Sequence, residues 1–186
     1  MAYLTLANQL TILRVALTPF FVLAVVYGYL GTALLVFLIA GATDALDGLA
    51  ARRTGQRTSL GEWLDPLADK LLLVATFIVL TLPTIPLVNH LPLWLTVLMI
   101  SRDIVIVGVV AVVNLAVGPK TFRPSPLGKW TTACYILTTI VVIYFNYLGQ
   151  TSVLVDVAVY TSLGLTLLSA ADYAFRMRRL IGDPGA

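Results

Sequence analysis

Hydrophobic positions in this chain form long continuous runs, without the alternation of a strand or the one-sided stripe of a soluble helix. A helix needs about 20 residues to cross a hydrocarbon core. Six runs reach that length, at roughly 9–28, 31–52, 60–82, 92–116, 127–147 and 152–175. Helix breakers separate them: Gly28 and Gly31, Pro83 and Pro86, the Gly118–Pro126 stretch, and Gly149. A membrane barrel would show short alternating segments instead. No internal repeat, low-complexity tract or linker interrupts the series. The pattern predicts an all-α polytopic membrane protein of six transmembrane helices, forming a single domain over residues 1–186.

Composition agrees with this reading. The 186 residues are 59% hydrophobic and 11% charged, where soluble domains carry about 25% charge, and the mean hydropathy is +0.95. The net charge of +3 matters less than where the cations lie. Arg14 stands near the start of the first span. Arg52, Arg53 and Arg57 lie between spans two and three, Lys120, Arg123 and Lys129 between spans four and five, and Arg176, Arg178 and Arg179 after span six. The opposite loops, near 28–31, 83–93 and 147–153, contain no Lys or Arg. The positive-inside rule then predicts both termini in the cytoplasm and a multi-pass protein of the cell membrane. The first apolar run lacks a basic leader and a small-residue cleavage site, so it is expected to be a retained span. Cys134 is the single cysteine and has no partner within the chain for a disulfide. Trp63, Trp94 and Trp130 fall near span ends, as interfacial aromatics do. The basic end "RMRRLIGDPGA" suits anionic headgroups and is too short for nucleic acid.

One stretch breaks the apolar pattern: "DALDGLAARRTGQRTSLGEWLDPLADK", residues 44–70. Asp44 and Asp47 are three apart near the end of span two; Asp65 and Asp69 are four apart near the start of span three. Such pairs share a helix face. Asp44 and Asp69 lie at matching depths, roughly 12–14 Å from the span ends, and Asp47 and Asp65 roughly 7–8 Å. Two adjacent antiparallel helices would bring the four carboxylates to one site. Like charges at close range oppose ionisation, and an aspartate in a span costs about 2.5–3.5 kcal/mol. Bound divalent cations resolve both difficulties. Carboxylate oxygens suit Mg²⁺ or Mn²⁺, and two ions suit phosphoryl-type transfer at a pyrophosphate. Helix capping in interfacial loops is the bland alternative, and it accounts for one or two of the four. Gly48 leaves room for a ligand beside Asp47, and Arg52 can pair with phosphate. Thr58 and Ser59 can donate to phosphate or cap span three. Arg53 and Arg57 read as orienting charges, and Glu62 as a first-turn helix charge.

The spacing of Asp44, Asp47, Gly48, Ala51, Arg52, Gly61, Asp65 and Asp69 resembles, at every fixed position, the signature of the CDP-alcohol phosphotransferases. That resemblance implies a six-helix enzyme that uses Mg²⁺ or Mn²⁺. Asp44, Asp47, Asp65 and Asp69 would hold two ions, Asp69 would also be the general base, and Gly48, Arg52 and Thr58 would contact the CDP-linked donor. It also implies a homodimer and a cytoplasm-facing site. The opening "ANQLTILRVALTPFFVLAV" is similar to the bacterial phosphatidylglycerophosphate synthases, where Asn8, Thr11 and Arg14 would meet the donor nucleotide. "SPLGKWTTA" resembles their "GKxKT" segment, with Lys129 matching the first lysine and Thr131 replacing the second. "MISRDIVIVGVV" departs from them: Asp103 stands for the usual glutamate and Val110 for a later arginine. Its "SRD" also resembles the cardiolipin synthases that use CDP-diacylglycerol.

The expected reaction moves a phosphatidyl group from CDP-diacylglycerol to glycerol 3-phosphate. Phosphatidylglycerol or inositol phosphate are the alternative acceptors. Arg102 and Lys129 are the candidate acceptor-binding residues. Read from the residues alone, Arg102 is either an anion site or a structural ion pair to another helix. A pair with Asp103 is not assumed, because helix neighbours at i, i+1 diverge. Lys129 is either a ligand or a snorkelling cation. His90, Asp156 and Asp172 carry no assigned role. A cation transporter is the competing class, since intramembrane aspartates also mark ion pathways. The outer halves of spans two and three, "TALLVFLIAGA" and "LLLVATFIVLTL", offer no polar continuation for one.

Overall fold

The computed structural model describes the backbone of residues 6–54, 59–117 and 125–182, and the side chains of residues 9, 11–43, 68, 70–108 and 125–175. Among the described residues all regular structure is helical: α1 (Leu6–Val26), α2 (Leu30–Thr54), α3 (Ser59–Thr81), α4 (Leu93–Val117), α5 (Pro126–Tyr147) and α6 (Val153–Gly182). Each helix matches one of the expected apolar runs. Pro126–Tyr147 and Val153–Phe175 are long and apolar enough to cross a membrane; Thr11–Val26, Leu30–Thr43 and Lys70–Thr81 are shorter apolar stretches.

The breakers act through identifiable caps. Gly28 adopts φ +77° and Gly149 φ +67°. Gly28 N–H donates to Val25 O and Tyr29 N–H to Ala24 O. Gly149 N–H donates to Asn146 O and Gln150 N–H to Phe145 O. Both are Schellman ends, in which a left-handed glycine lets the chain satisfy the last helical carbonyls. At the other kind of end, Ser125 Oγ accepts Gly128 N–H at 3.0 Å and Pro126 opens α5, an N-cap followed by proline at the first helical position. Ser152 caps α6 by accepting Leu154 N–H at 3.2 Å. Pro19 lies inside α1 and removes one backbone donor there.

The chain divides into two compact units. The first comprises residues 1–90 and 142–151. Here α1 packs against both α2 and α3. Thr11, Arg14, Thr18, Phe21 and Val25 form a buried stripe on α1 at alternating three- and four-residue spacing. Ala33, Phe37 and Ala40 do the same on α2, and Leu72, Thr76 and Val79 on α3. Such spacing places each row on one face of its helix. The Phe21 and Phe37 rings meet at 5.8 Å. A polar clamp secures the 82–90 connection: Asn89 N–H donates to Asn146 Oδ1 at 2.7 Å, Asn146 Nδ2 to Asn89 O at 2.8 Å, and Asn89 Nδ2 to Gln150 O at 2.8 Å.

The second unit comprises residues 91–141 and 152–186. Its α5 and α6 run antiparallel along a seam of small polar residues. Thr131 Oγ1 donates to Leu165 O, Thr138 Oγ1 to Ala158 O, and the Thr138 and Ser162 hydroxyls lie 2.8 Å apart. Small hydroxyl residues let helices approach closely where no water drives them together. α4 runs parallel to α6, with Trp94 against Tyr160 at 6.3 Å and Arg102 against Ser169 at 2.9 Å. Many outward side chains are large and apolar, among them Phe20, Tyr160, Leu168 and Phe175, each more than half exposed. That surface suits lipid better than water.

Candidate functional site

The sequence directs attention to two clusters, one in each unit. In the first unit, Thr11 and Arg14 are each 1% exposed and lie on the inner stripe of α1. A threonine and an arginine there give the start of the helix a polar inner face, which turns apolar at Phe21 and Val25. Thr18 Oγ1 donates to Arg14 O at 3.0 Å. Asp44, Asp47, Gly48 and Arg52 belong to α2, and Asp65 and Asp69 to α3. Their side chains and that of Asn8 lie outside the described residues, and Thr58 lies outside them altogether. Their register is informative. The spacing of Ala33, Phe37 and Ala40 continues to positions 44 and 47. The spacing of Leu72, Thr76 and Val79 runs back to positions 69 and 65. All four aspartates thus continue, by spacing, the rows that these residues mark.

The second cluster surrounds Arg102, whose side chain is 9% exposed. Its Nη1 donates to Asp103 Oδ1 at 3.0 Å and its Nη2 to Ser169 Oγ at 2.9 Å. The pair with Asp103 therefore forms, contrary to the rule that helix neighbours diverge. That rule concerns Cβ directions, and an arginine is long enough to fold back. The guanidinium carries five N–H donors, and Nε–H is buried without a hydrogen-bond partner. Arg102 also stands beside the first turn of α5. A methyl group at Gly128 would lie 3.1 Å from Arg102 Nη2, 3.3 Å from Ser125 Oγ and 3.7 Å from the Tyr173 hydroxyl. Glycine there serves close approach rather than an unusual backbone angle, since any larger side chain would press on Arg102.

Counting along α4 puts Arg102 about 14 Å from its first residue. Packing sets it level with Gly128 in the first turn of α5 and with Ser169 midway along α6. It therefore lies near a helix terminus, where an anion is favoured by the partial positive charge of the α5 N-terminus. The guanidinium, already paired with Asp103 at 3.0 Å, thus stands beside a second, partial positive centre. Lys129 is exposed beside Gly128, and its backbone N–H donates to Ser125 O. The sequence did not single out Ser125, Gly128, Ser169 or Tyr173. Only the Ser125–Pro126 pair carries a local signal, that of a helix start.

A cleft of about 410 Å³ opens between α4 and α6 beside Arg102. Its walls are mostly aliphatic, with Leu98, Val105 and Ile106 from α4 and Leu167 and Ala170 from α6.

Comparison with known proteins bears on both clusters. The chain is 33% identical over 183 residues to a probable phosphatidylglycerophosphate synthase of Mycobacterium tuberculosis, covering 95% of this chain and 83% of that one. It is 34% identical over 173 residues to a CDP-diacylglycerol–glycerol-3-phosphate 3-phosphatidyltransferase of Haemophilus influenzae, covering 88% of each. Against the human CMP-forming cardiolipin synthase it is 36% identical over 132 residues, covering 70% of this chain but 41% of the other. The model of the CDP-alcohol phosphatidyltransferases matches residues 4–168, a span that takes in the aspartate-bearing helices and Arg102 alike, and the chain belongs to that family.

Proposed function

We propose that this protein transfers the phosphatidyl group of CDP-diacylglycerol to glycerol 3-phosphate, giving phosphatidylglycerol phosphate and CMP. The observation that carries the choice of acceptor is coverage. The two bacterial relatives cited above correspond to this chain over 83% and 88% of their own length, against 41% for the human cardiolipin synthase. The guanidinium of Arg102 suits the phosphate that each of the candidate acceptors carries, and coverage decides between them. Phosphatidylglycerol is the second reading, favoured by "SRD" at 101–103.

In this reading the protein crosses the cell membrane six times, with both termini and the active site on the cytoplasmic side, as one domain that pairs into a homodimer. Asn8, Thr11, Arg14, Gly48, Arg52 and Thr58 bind the CDP part of the donor. Asp44, Asp47, Asp65 and Asp69 fit two divalent cations, Mg²⁺ or Mn²⁺: the donor set is four hard carboxylates, spaced to share one face on each of two helices that pack on α1. Such ions would supply charge neutralisation at the pyrophosphate. Arg102 and Lys129 hold the acceptor phosphate. Asp69 takes the proton from the acceptor hydroxyl. That oxygen attacks the phosphorus bearing diacylglycerol, and the bond from this phosphorus to the bridging oxygen breaks as CMP leaves. The base works only when its carboxylate comes within about 2.6–3.2 Å of that hydroxyl.

An acceptor panel tests the proposal. Purified protein with Mg²⁺ or Mn²⁺ and CDP-diacylglycerol is given glycerol 3-phosphate, phosphatidylglycerol or inositol phosphate, and the lipid product is identified by mass. CMP release with glycerol 3-phosphate is expected. Turnover with phosphatidylglycerol alone would replace the first reading by the second.

A further inference from the structure

Arg102 is held from two helices, and the two contacts do different things. Asp103 is its neighbour on α4, so the 3.0 Å contact from Nη1 fixes the guanidinium only relative to its own helix. Ser169 belongs to α6, 67 positions away, and its Oγ accepts an Nη2 hydrogen at 2.9 Å. Ser169 is fully buried. One turn earlier on α6, Leu165 O receives Thr131 Oγ1 of α5 at 3.2 Å. A single turn of α6 is therefore bonded both to α5 and to Arg102. The first turn of α5 bears Gly128 and Lys129, and a methyl on Gly128 would lie 3.1 Å from the same Nη2. Contacts through α6 thus set how the guanidinium stands against the helix end that carries Lys129, the other cation assigned to the acceptor.

We propose that Ser169 is a positioning residue for the acceptor site: it acts through Arg102, holding the guanidinium in the orientation that meets the acceptor phosphate. The proposal rests on the reading that Arg102 binds that phosphate. Arginine has many rotamers, and ordering such a side chain on binding lowers affinity. A guanidinium tied at both Nη atoms is ordered before the acceptor arrives, so that cost falls on folding instead. Without Ser169 Oγ, Asp103 would be the only one of these two ties left, and the side chain would turn about it. A serine that merely satisfied a buried cation would differ in its consequences. Its loss would lower stability and leave acceptor affinity unchanged.

The test is binding of glycerol 3-phosphate to the full-length protein in detergent, measured by calorimetry without donor, alongside a thermal melt. Ser169→Ala should raise the dissociation constant by roughly three- to tenfold, as expected for ordering one rotamer-rich side chain. Ser169→Thr keeps the hydroxyl and should retain wild-type affinity. In an Arg102→Gln background, Ser169→Ala should weaken residual binding no further, because the two residues act as one unit. Ser162→Ala removes another hydroxyl of α6, two turns away, and should leave affinity unchanged. Wild-type affinity in Ser169→Ala, with or without a lower thermal midpoint, would overturn the proposal. A loss that Ser169→Thr does not avoid would mark a packing role only and overturn it as well. So would a further loss from Ser169→Ala in the Arg102→Gln background, which would show Ser169 acting independently of the guanidinium. A wild-type protein that binds no glycerol 3-phosphate would overturn the proposal together with the acceptor role of Arg102. Turnover is not read in this assay. Binding that depends on Ser169, in a protein that releases no CMP from CDP-diacylglycerol, would refute the transferase reading alone.

Discussion

Gly128→Ala sets two opposing effects against each other. In a helix, alanine is favoured over glycine by about 0.5–1 kcal/mol, so propensity alone predicts a more stable protein. The added methyl would stand 3.1 Å from Arg102 Nη2 and 3.3 Å from Ser125 Oγ. Arg102 cannot simply swing aside, because Nη1 is tied to Asp103 at 3.0 Å and Nη2 to Ser169 at 2.9 Å. The Nη2 bond is the one pressed. A hydrogen bond to a charged group contributes about 1.5–3 kcal/mol, so its loss outweighs the propensity gain, for a net cost of about 0.5–2.5 kcal/mol. The larger effect should fall on function. A displaced guanidinium no longer meets the acceptor phosphate, and the KM for glycerol 3-phosphate should rise by roughly tenfold. The KM for CDP-diacylglycerol should move little, since no donor contact is assigned to this unit. The assay is CMP release with each substrate varied in turn, alongside a thermal melt in detergent. A variant with a higher melting midpoint and an unchanged acceptor KM would refute the claim that Gly128 makes room for a functional Arg102.

Further outcomes follow from the two clusters. Asp69→Asn should retain donor binding and lose turnover by at least about a hundredfold, and wild-type-like turnover would end its assignment as base. Chelation should abolish CMP release, and added Mg²⁺ or Mn²⁺ should restore it; activity that persists through exhaustive chelation would remove the cations from the reaction. Asn146→Leu strips both partners from the buried backbone of Asn89, costing about 2–5 kcal/mol, and should lower the thermal midpoint in detergent without changing either KM. Ser162→Ala should cost only about 0.6 kcal/mol although its hydroxyl meets both the Cys134 thiol and the Thr138 hydroxyl, because hydrogen bonds between membrane helices average about that much.

The helices and their ends were legible in the sequence because the forces that make them are local. A transmembrane helix satisfies its backbone within the segment, so run length and breakers suffice to find it. Gly28, Gly149 and the Ser125–Pro126 pair mark ends through contacts with residues a few positions away. The spacing of Asp44, Asp47, Asp65 and Asp69 is likewise a helix-face property, readable without any partner. What the sequence could not determine depends on how one helix slides and rotates against another. Asn89 meets Asn146 across 57 positions, and Arg102 meets Ser169 across 67. No pattern within α4 reveals that Arg102 lies beside the first turn of α5, or that Gly128 must be bare to admit it. Even the Arg102–Asp103 contact turned on the reach of a side chain rather than the direction of its Cβ. The apolar seams that set these offsets are interchangeable in sequence. Their packing, not their composition, decides which polar group meets which.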